Sequence, residues 1–259
     1  MDGINRENAK QAIPLMEKAI KILEDPQFTD IEEAISRKAV HKIKLAGIYN
    51  ALGNYQKALE IAQNTEDLIN SSGFDNCDTF YAQGLIARER GISFLRMNQI
   101  SKAYDYFKLA DEILTKLMKG DYLFKIKVHE VECLIRLNRL DEAFSICRDI
   151  LSIKNREITN YSNLLFNTCY YHAAIIKYRK KDPAASKKYF RDFFQSMSSF
   201  LKEILSKEEF DMLEQDQVFD TNVSMRKFFE NSLKVFGIIY GIDNGFIKYY
   251  VEDNLKLLK

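Results

Sequence analysis

The chain has 259 residues, with 38 Lys and Arg against 37 Asp and Glu, a formal net charge of +1, and only 10 Gly and 3 Pro. So few Gly and Pro exclude an all-β sandwich or barrel, which needs turn residues at short intervals. Charged residues at 29%, together with 18 Phe and 14 Tyr, exclude a mostly disordered chain. The balanced charge gives no general attraction to nucleic acid or to an anionic membrane. The composition therefore predicts a helical, globular protein.

The first 28 residues predict a capping helix. Ala12, Met16 and Ala19 follow helical spacing, and Asp25-Pro26 ends the pattern. The polar start of the chain lacks the apolar core of a secretory signal, and no apolar run approaches the roughly 20 residues of a membrane-spanning helix. We therefore expect a cytoplasmic protein without membrane insertion.

Residues 30–195 contain four copies of one spacing pattern. In each copy a small or slim residue precedes a second small residue by 12 positions, at Ala46 and Ala58, Gly91 and Ala103, Val131 and Ala143, and Ala174 and Ser186. Seven residues after the first small position lies the expected turn residue, which is Gly53, Asn98, Asn138 or Lys181. A bulky residue lies four residues after the second small position, as Phe107 does after Ala103. Because antiparallel helices approach most closely where side chains are smallest, the pattern predicts four stacked helical hairpins.

These residues resemble the tetratricopeptide repeat (TPR) family, whose L-G-x-x-Y…G-x-Y…A-x-x-x-F pattern is matched best at 45–62 and 91–110. The offsets between copies are 45, 40 and 43 residues, longer than the usual repeat of about 34. In this respect the chain resembles the long-helix variants of the family in bacterial regulatory and scaffold proteins. The resemblance implies one all-α domain over 1–259, a superhelical solenoid of antiparallel helix pairs. Residues 196–259 are then expected to form degenerate C-terminal capping helices.

The concave groove of such a solenoid is the predicted functional site. Counted from the small positions, the groove-facing residues of the first helices combine apolar anchors, tyrosines and arginines, which is typical of binding hot spots. The predicted partner-binding residues are Arg88, Ile92, Leu95, Arg96, Glu132, Arg136, Tyr171, Tyr178 and Arg179. We expect a protein or peptide partner with acidic residues beside aliphatic ones. The arginines near helix ends have a second interpretation, because cations there also complement the helix dipole.

The sequence favours a non-enzymatic scaffold. The alternative function is a signal-responsive regulator, in which a bound peptide changes the pitch of the superhelix and the output passes through protein binding. Basic residues cluster between Lys177 and Arg191, but we do not expect a nucleic-acid partner, because half of these charges fall in a turn.

No residue set predicts a catalytic site, a cofactor or a metal ion. Cys169 and His172, three residues apart, supply only two candidate ligands. Cys133 and His129 lack an orienting third group and an oxyanion site. The four cysteines stand singly in the sequence, which predicts reduced thiols.

Overall fold

The computed structural model describes residues 6–28, 31–73, 76–117, 120–153 and 160–186, together with 188, 189, 191–193 and 196. All regular elements in these residues are helical, so the predicted all-α class is confirmed. The chain divides into two compact units, one spanning Arg6–Arg139 and one containing the described residues from Leu140 onward. The capping helices predicted for 196–259 lie outside the described residues, apart from position 196.

The helices follow the order that the repeated spacing predicts. They are α1 (Arg6–Ile22), a 3-10 turn at Pro26–Phe28, α2 (Glu32–Ala51), α3 (Tyr55–Ser72), α4 (Cys77–Arg96), α5 (Ile100–Lys116), α6 (Gly120–Arg136), α7 (Leu140–Ser152) and α8 (Asn160–Arg179). The first helices of the predicted hairpins are therefore α2, α4, α6 and α8.

In the first unit each helix packs on the next, from α1 through α6. The first helix α4 also contacts the first helices α2 and α6, so these three lie side by side in one layer. In the second unit α7 packs on α8. The stacking of hairpins is thus observed in the first unit, and the superhelical solenoid stays a prediction.

One type of hydrogen-bonded turn ends all four first helices. The backbone is left-handed at the predicted turn residues Gly53, Asn98, Asn138 and Lys181, with φ of 83°, 60°, 59° and 57°. In each turn the next amide donates to the carbonyl five residues earlier at 2.8 to 2.9 Å, and the turn residue donates to the carbonyl three residues earlier at 2.9 to 3.1 Å. These two bonds define the Schellman motif, which satisfies the last carbonyls of a helix. The prediction of the four turns is confirmed.

The predicted small positions lie in the interior. All eight are buried, and in the fourth hairpin the Ser186 hydroxyl donates to the Ala174 carbonyl at 2.8 Å. A Cβ atom added to Gly91 would lie 2.7 Å from Cε1 of Phe107, so the absence of a side chain lets this ring approach α4. The spacing did not single out Gly84, where an added Cβ would lie 2.7 Å from Cδ2 of Leu114. Glycine therefore allows close packing between α4 and α5 at two points.

Candidate functional site

A buried carboxylate on α4 anchors the layer of first helices. Glu89 is 3% exposed; Asn50 on α2 donates through Nδ2 to its Oε2 and to its main-chain carbonyl, both at 3.0 Å. Arg88 forms an ion pair with the same carboxylate, and the Ser93 hydroxyl donates to Oδ1 of Asn50 at 2.7 Å. Because a buried carboxylate is costly without such partners, this network fixes α2 against α4.

A second ion pair lies within α6. Arg136 donates through Nη2 to Oε1 of Glu132, one helical turn earlier, at 2.8 Å. Glu132 is 4% exposed, whereas 17% of the Arg136 side chain is exposed. The carboxylate inside the unit therefore orients a guanidinium that reaches the surface. The same arginine lies in the last turn of α6, where it also complements the helix dipole.

A largely buried ionic cluster, which the sequence did not predict, connects α5 and α6. Lys127 donates to Asp111 at 2.6 Å and to Glu130 at 3.3 Å. Burial raises the pKa of the Glu130 carboxyl, and the opposing charge of Lys127 reduces that rise. Burial by itself lowers the pKa of Lys127, but the hydrogen bond and charge of Asp111, together with Glu130, leave it raised. The spacing of hydrophobic residues does not show whether a carboxylate is buried in an ion pair or exposed to solvent. The sequence therefore carried no clear signal for this cluster.

Three of the nine predicted partner-binding residues belong to the interior. Leu95 is 1% exposed and lies in the core cluster that contains Phe107. Glu132 is the buried partner of Arg136, and Tyr171 is 7% exposed, with its ring centroid 5.7 Å from that of Phe193. The prediction of these three as exposed groove contacts is therefore wrong. A first helix in a stacked array has neighbours on several sides, so its buried stripe is wider than that of a helix packed on one partner.

Four predicted residues are partly exposed in the first unit. Arg88, Ile92 and Arg96 follow one another at intervals of four along α4 and are partly exposed, so they form one line on the helix. Arg136 is partly exposed on the neighbouring helix α6. We call these four residues the arginine face. Ile92 also packs against the core cluster of Leu95 and Phe107, so the apolar side chain of the face is continuous with the core.

The last two predicted contacts lie in the second unit. Tyr178 is 39% exposed and Arg179 is also exposed, both at the end of α8. Nearby, the Lys177 Nζ lies 4.4 Å from the centroid of the Phe144 ring and 3.7 Å from Oδ2 of Asp182. Part of the basic cluster recognised in the sequence thus serves to connect α7 with α8 and to close its own turn.

The candidate catalytic and metal-binding side chains are buried or half-buried. The described part of the chain contains no group of three or more His, Cys, Asp and Glu side chains that could hold a metal ion. Burial raises the pKa of the Cys133 thiol, which keeps it protonated and weakly nucleophilic. His129 stacks on Phe107, with a centroid distance of 5.0 Å.

None of the helices among the described residues is both long and apolar enough to span a membrane.

Comparison with known proteins adds information on the fold. No protein-family model matches the chain, and no curated protein matches its sequence. The fold is similar to that in the crystal structure of BtubC (BKLC) from P. vanneervenii, with a TM-score of 0.59 and 12% sequence identity, over 96% of this chain and 92% of that chain. At this identity the likeness concerns the architecture alone.

Proposed function

We propose that this chain is a non-enzymatic, TPR-like scaffold that binds a protein or peptide segment on the layer of its first helices. The supporting observation is the side-by-side contact of α2, α4 and α6. In such a layer, equivalent positions of successive hairpins lie next to one another, and a partner can contact several helices at once. The arginine face is an accessible part of this layer that combines charge with an apolar side chain.

The chemistry of the arginine face favours a segment with aliphatic and acidic residues. Ile92 offers a partly exposed aliphatic surface, which an aliphatic partner residue would cover. Arg88 and Arg136 are oriented by the carboxylates of Glu89 and Glu132. A guanidinium has five N–H donors, so it can keep an intrachain carboxylate and still bind a second acceptor. Partner carboxylates would therefore bind to cations that are already held in place.

The proposal includes a cytoplasmic location. Cys133, Cys147 and Cys169 are buried free thiols, and Cys77 is an exposed one. Free thiols are typical of proteins that work in a reducing compartment.

Affinity capture with a matched pair of variants tests the proposal. The test variant combines R96Q with E132Q and R136Q, so that Glu132 is not left as an unpaired buried charge. The control variant is R37Q/R148Q, because the Arg37 and Arg148 side chains are 67% and 68% exposed and lie outside the arginine face. We expect native extracts to yield a partner that is retained by the unaltered chain and the control and lost by the test variant. Capture of the same proteins by all three folded chains would contradict the proposal.

A further inference from the structure

One edge of α2 lies at the end of the layer of first helices. The corresponding edge of α4 is buried against α2, because Ala82 and Ile86 share a core cluster with residues of α2 and Glu89 accepts a hydrogen bond from Asn50. On α2 the same positions of the repeat, nine, five and two residues before the small residue, hold Arg37, His41 and Lys44. We call these three residues the α2 edge.

None of the described helices takes the place beside the α2 edge that α2 takes beside α4. The main contacts of α2 are with α1, α3 and α4. Helix α1 packs on a different side of α2, where Ile20 clusters with Leu45. The position equivalent to Leu45 on α4 is Arg90, which pairs with Glu66 of α3 at 2.7 Å. Helix α1 therefore stands where a preceding second helix would stand, and the place of a preceding first helix is open.

The α2 edge carries a surplus of positive charge. After Glu33, α2 contains no acidic residue, and its cations follow at Arg37, Lys38, Lys42 and Lys44. Glu33 pairs with Arg37 at 2.5 Å, but a guanidinium has five N–H donors and can bind a second acceptor. Burial lowers the pKa of the His41 imidazole, and the charges of Lys44 and Arg37 lower it further. The edge thus consists of two exposed cations on either side of a histidine that favours its neutral form.

We propose that the α2 edge binds an acidic helix of a partner protein, which continues the layer of first helices. Arg37 and Lys44 are seven residues apart, about 10 Å along the helix, and the partly exposed Val40 lies between them. Carboxylates two turns apart on a partner helix can pair with both cations, and an aliphatic side chain between them can cover Val40.

The charge of the α2 edge also selects among the possible occupants. A second copy of the chain that presented the same edge would place like charges opposite each other, which disfavours self-association there. A helix fits better than a nucleic acid, because the open place is that of a helix and an apolar side chain lies in its middle. The arginine face lies on α4 and α6, so this surface is additional to the proposed function.

A pair of designed peptides tests the proposal. Both are helical and as long as α2, 20 residues; one carries glutamates and leucines along one face, and the other has glutamine in place of each glutamate. They are titrated by fluorescence anisotropy against the full chain in the R96Q/E132Q/R136Q background, so that the arginine face does not contribute. We expect the glutamate peptide to bind at least about tenfold more tightly than the glutamine peptide, and to weaken as salt is added.

Matched variants locate the binding. R37E/K44E should bind the glutamate peptide at least about tenfold more weakly, because two attractions become repulsions. K116E/R148E makes the same change of net charge at exposed positions of α5 and α7 and should keep the affinity. R37Q/K44Q should lose an intermediate amount, which keeps the test valid if the reversed charges disturb folding.

Three results would overturn the proposal. They are equal affinity for R37E/K44E and K116E/R148E, equal affinity for the two peptides, and a DNA duplex that binds the edge more tightly than the glutamate peptide. A dimer in sedimentation that R37E/K44E abolishes would overturn it as well, by assigning the edge to a second copy. Because the background lacks the arginine face, none of these results bears on the proposed function.

Discussion

The ring of Phe107 occupies the space that a side chain at position 91 would need. An added Cβ on Gly91 would lie 2.7, 2.8 and 3.0 Å from three atoms of this ring. The second helix of this hairpin can therefore approach the first only because position 91 is glycine. The relationship explains in atomic terms why the repeat pattern pairs a small residue with a bulky one.

We expect G91A to destabilise the protein by about 1–2 kcal/mol. Overpacking of a well-packed core costs roughly 1–3 kcal/mol, and the better helix propensity of alanine returns up to about 1 kcal/mol of this. Urea unfolding measures the difference. In the double variant G91A/F107L the added methyl has more room, so the two changes should cost less together than the sum of their separate effects. Strict additivity would show that the ring does not limit position 91.

The left-handed turns predict different effects of alanine and asparagine at Gly53. G53A should cost about 1 kcal/mol, because φ is 83° there and a Cβ atom is strained in this region. Steric crowding is not the cause, since the nearest atom to an added Cβ is the Tyr55 hydroxyl at 3.9 Å. G53N should cost less, because Asn98 and Asn138 hold the same conformation at the equivalent turns. Equal losses of unfolding free energy for the two variants would contradict the Schellman assignment at this turn.

The polar network between α2 and α4 predicts a large effect for a small truncation. N50A removes both hydrogen bonds to Glu89 and one of the two acceptors of the Ser93 hydroxyl, so we expect a loss of about 1–3 kcal/mol. N64A is the matched control, because Asn64 is exposed on α3, and it should change stability by less than about 0.5 kcal/mol. Denaturant unfolding of both variants checks the prediction. A similar small effect for N50A would show that the network does not fix α2 against α4.

The buried carboxyl of Glu130 predicts a pH dependence with a defined sign. Because burial raises its pKa above the ordinary value of 4.5, the folded chain holds this proton more tightly than the unfolded chain. The contribution of Glu130 to stability therefore falls as the pH rises from the unfolded pKa through the folded one. The Glu130 carboxyl also senses the charges of Lys127, Asp111 and Lys108.

E130Q removes the titrating carboxyl at position 130 and keeps an oxygen that can accept a hydrogen bond from Lys127. The stability of E130Q relative to the unaltered chain should increase as the pH rises from 4.5, as measured by urea unfolding at a series of pH values. D111N serves as the comparison, because it changes the other carboxylate that accepts a hydrogen bond from Lys127. A difference between E130Q and the unaltered chain that does not change with pH would show that Glu130 titrates as an exposed carboxyl.

Much of the fold could be read from the sequence because it depends on steric size and backbone conformation. Small residues such as Gly91 and Ala103 mark where helices touch, and residues such as Asn98 tolerate the left-handed turn. Both properties belong to the residue itself. They therefore predicted the helical hairpins and the position of each turn.

The candidate site was predicted less well because exposure depends on the neighbours of a helix. Leu95 lies four residues after Gly91 and was counted as a groove contact, yet it packs in the core cluster around Phe107. The charged residues Glu89 and Glu130 can be buried because arginine, asparagine or lysine side chains form hydrogen bonds or ion pairs with them. These partners come from the same helix or from a neighbouring one. Such pairings appear only when the helices are placed in space.

A binding titration tests most directly whether the arginine face holds the partner. The segment of the captured partner is titrated by calorimetry against the unaltered chain, the R96Q/E132Q/R136Q variant and the R37Q/R148Q control. We predict that the test variant binds at least about tenfold more weakly, a loss of ~1.4 kcal/mol or more, and that the control keeps the affinity of the unaltered chain. Equal affinity for the three chains, with folding intact, would contradict the account.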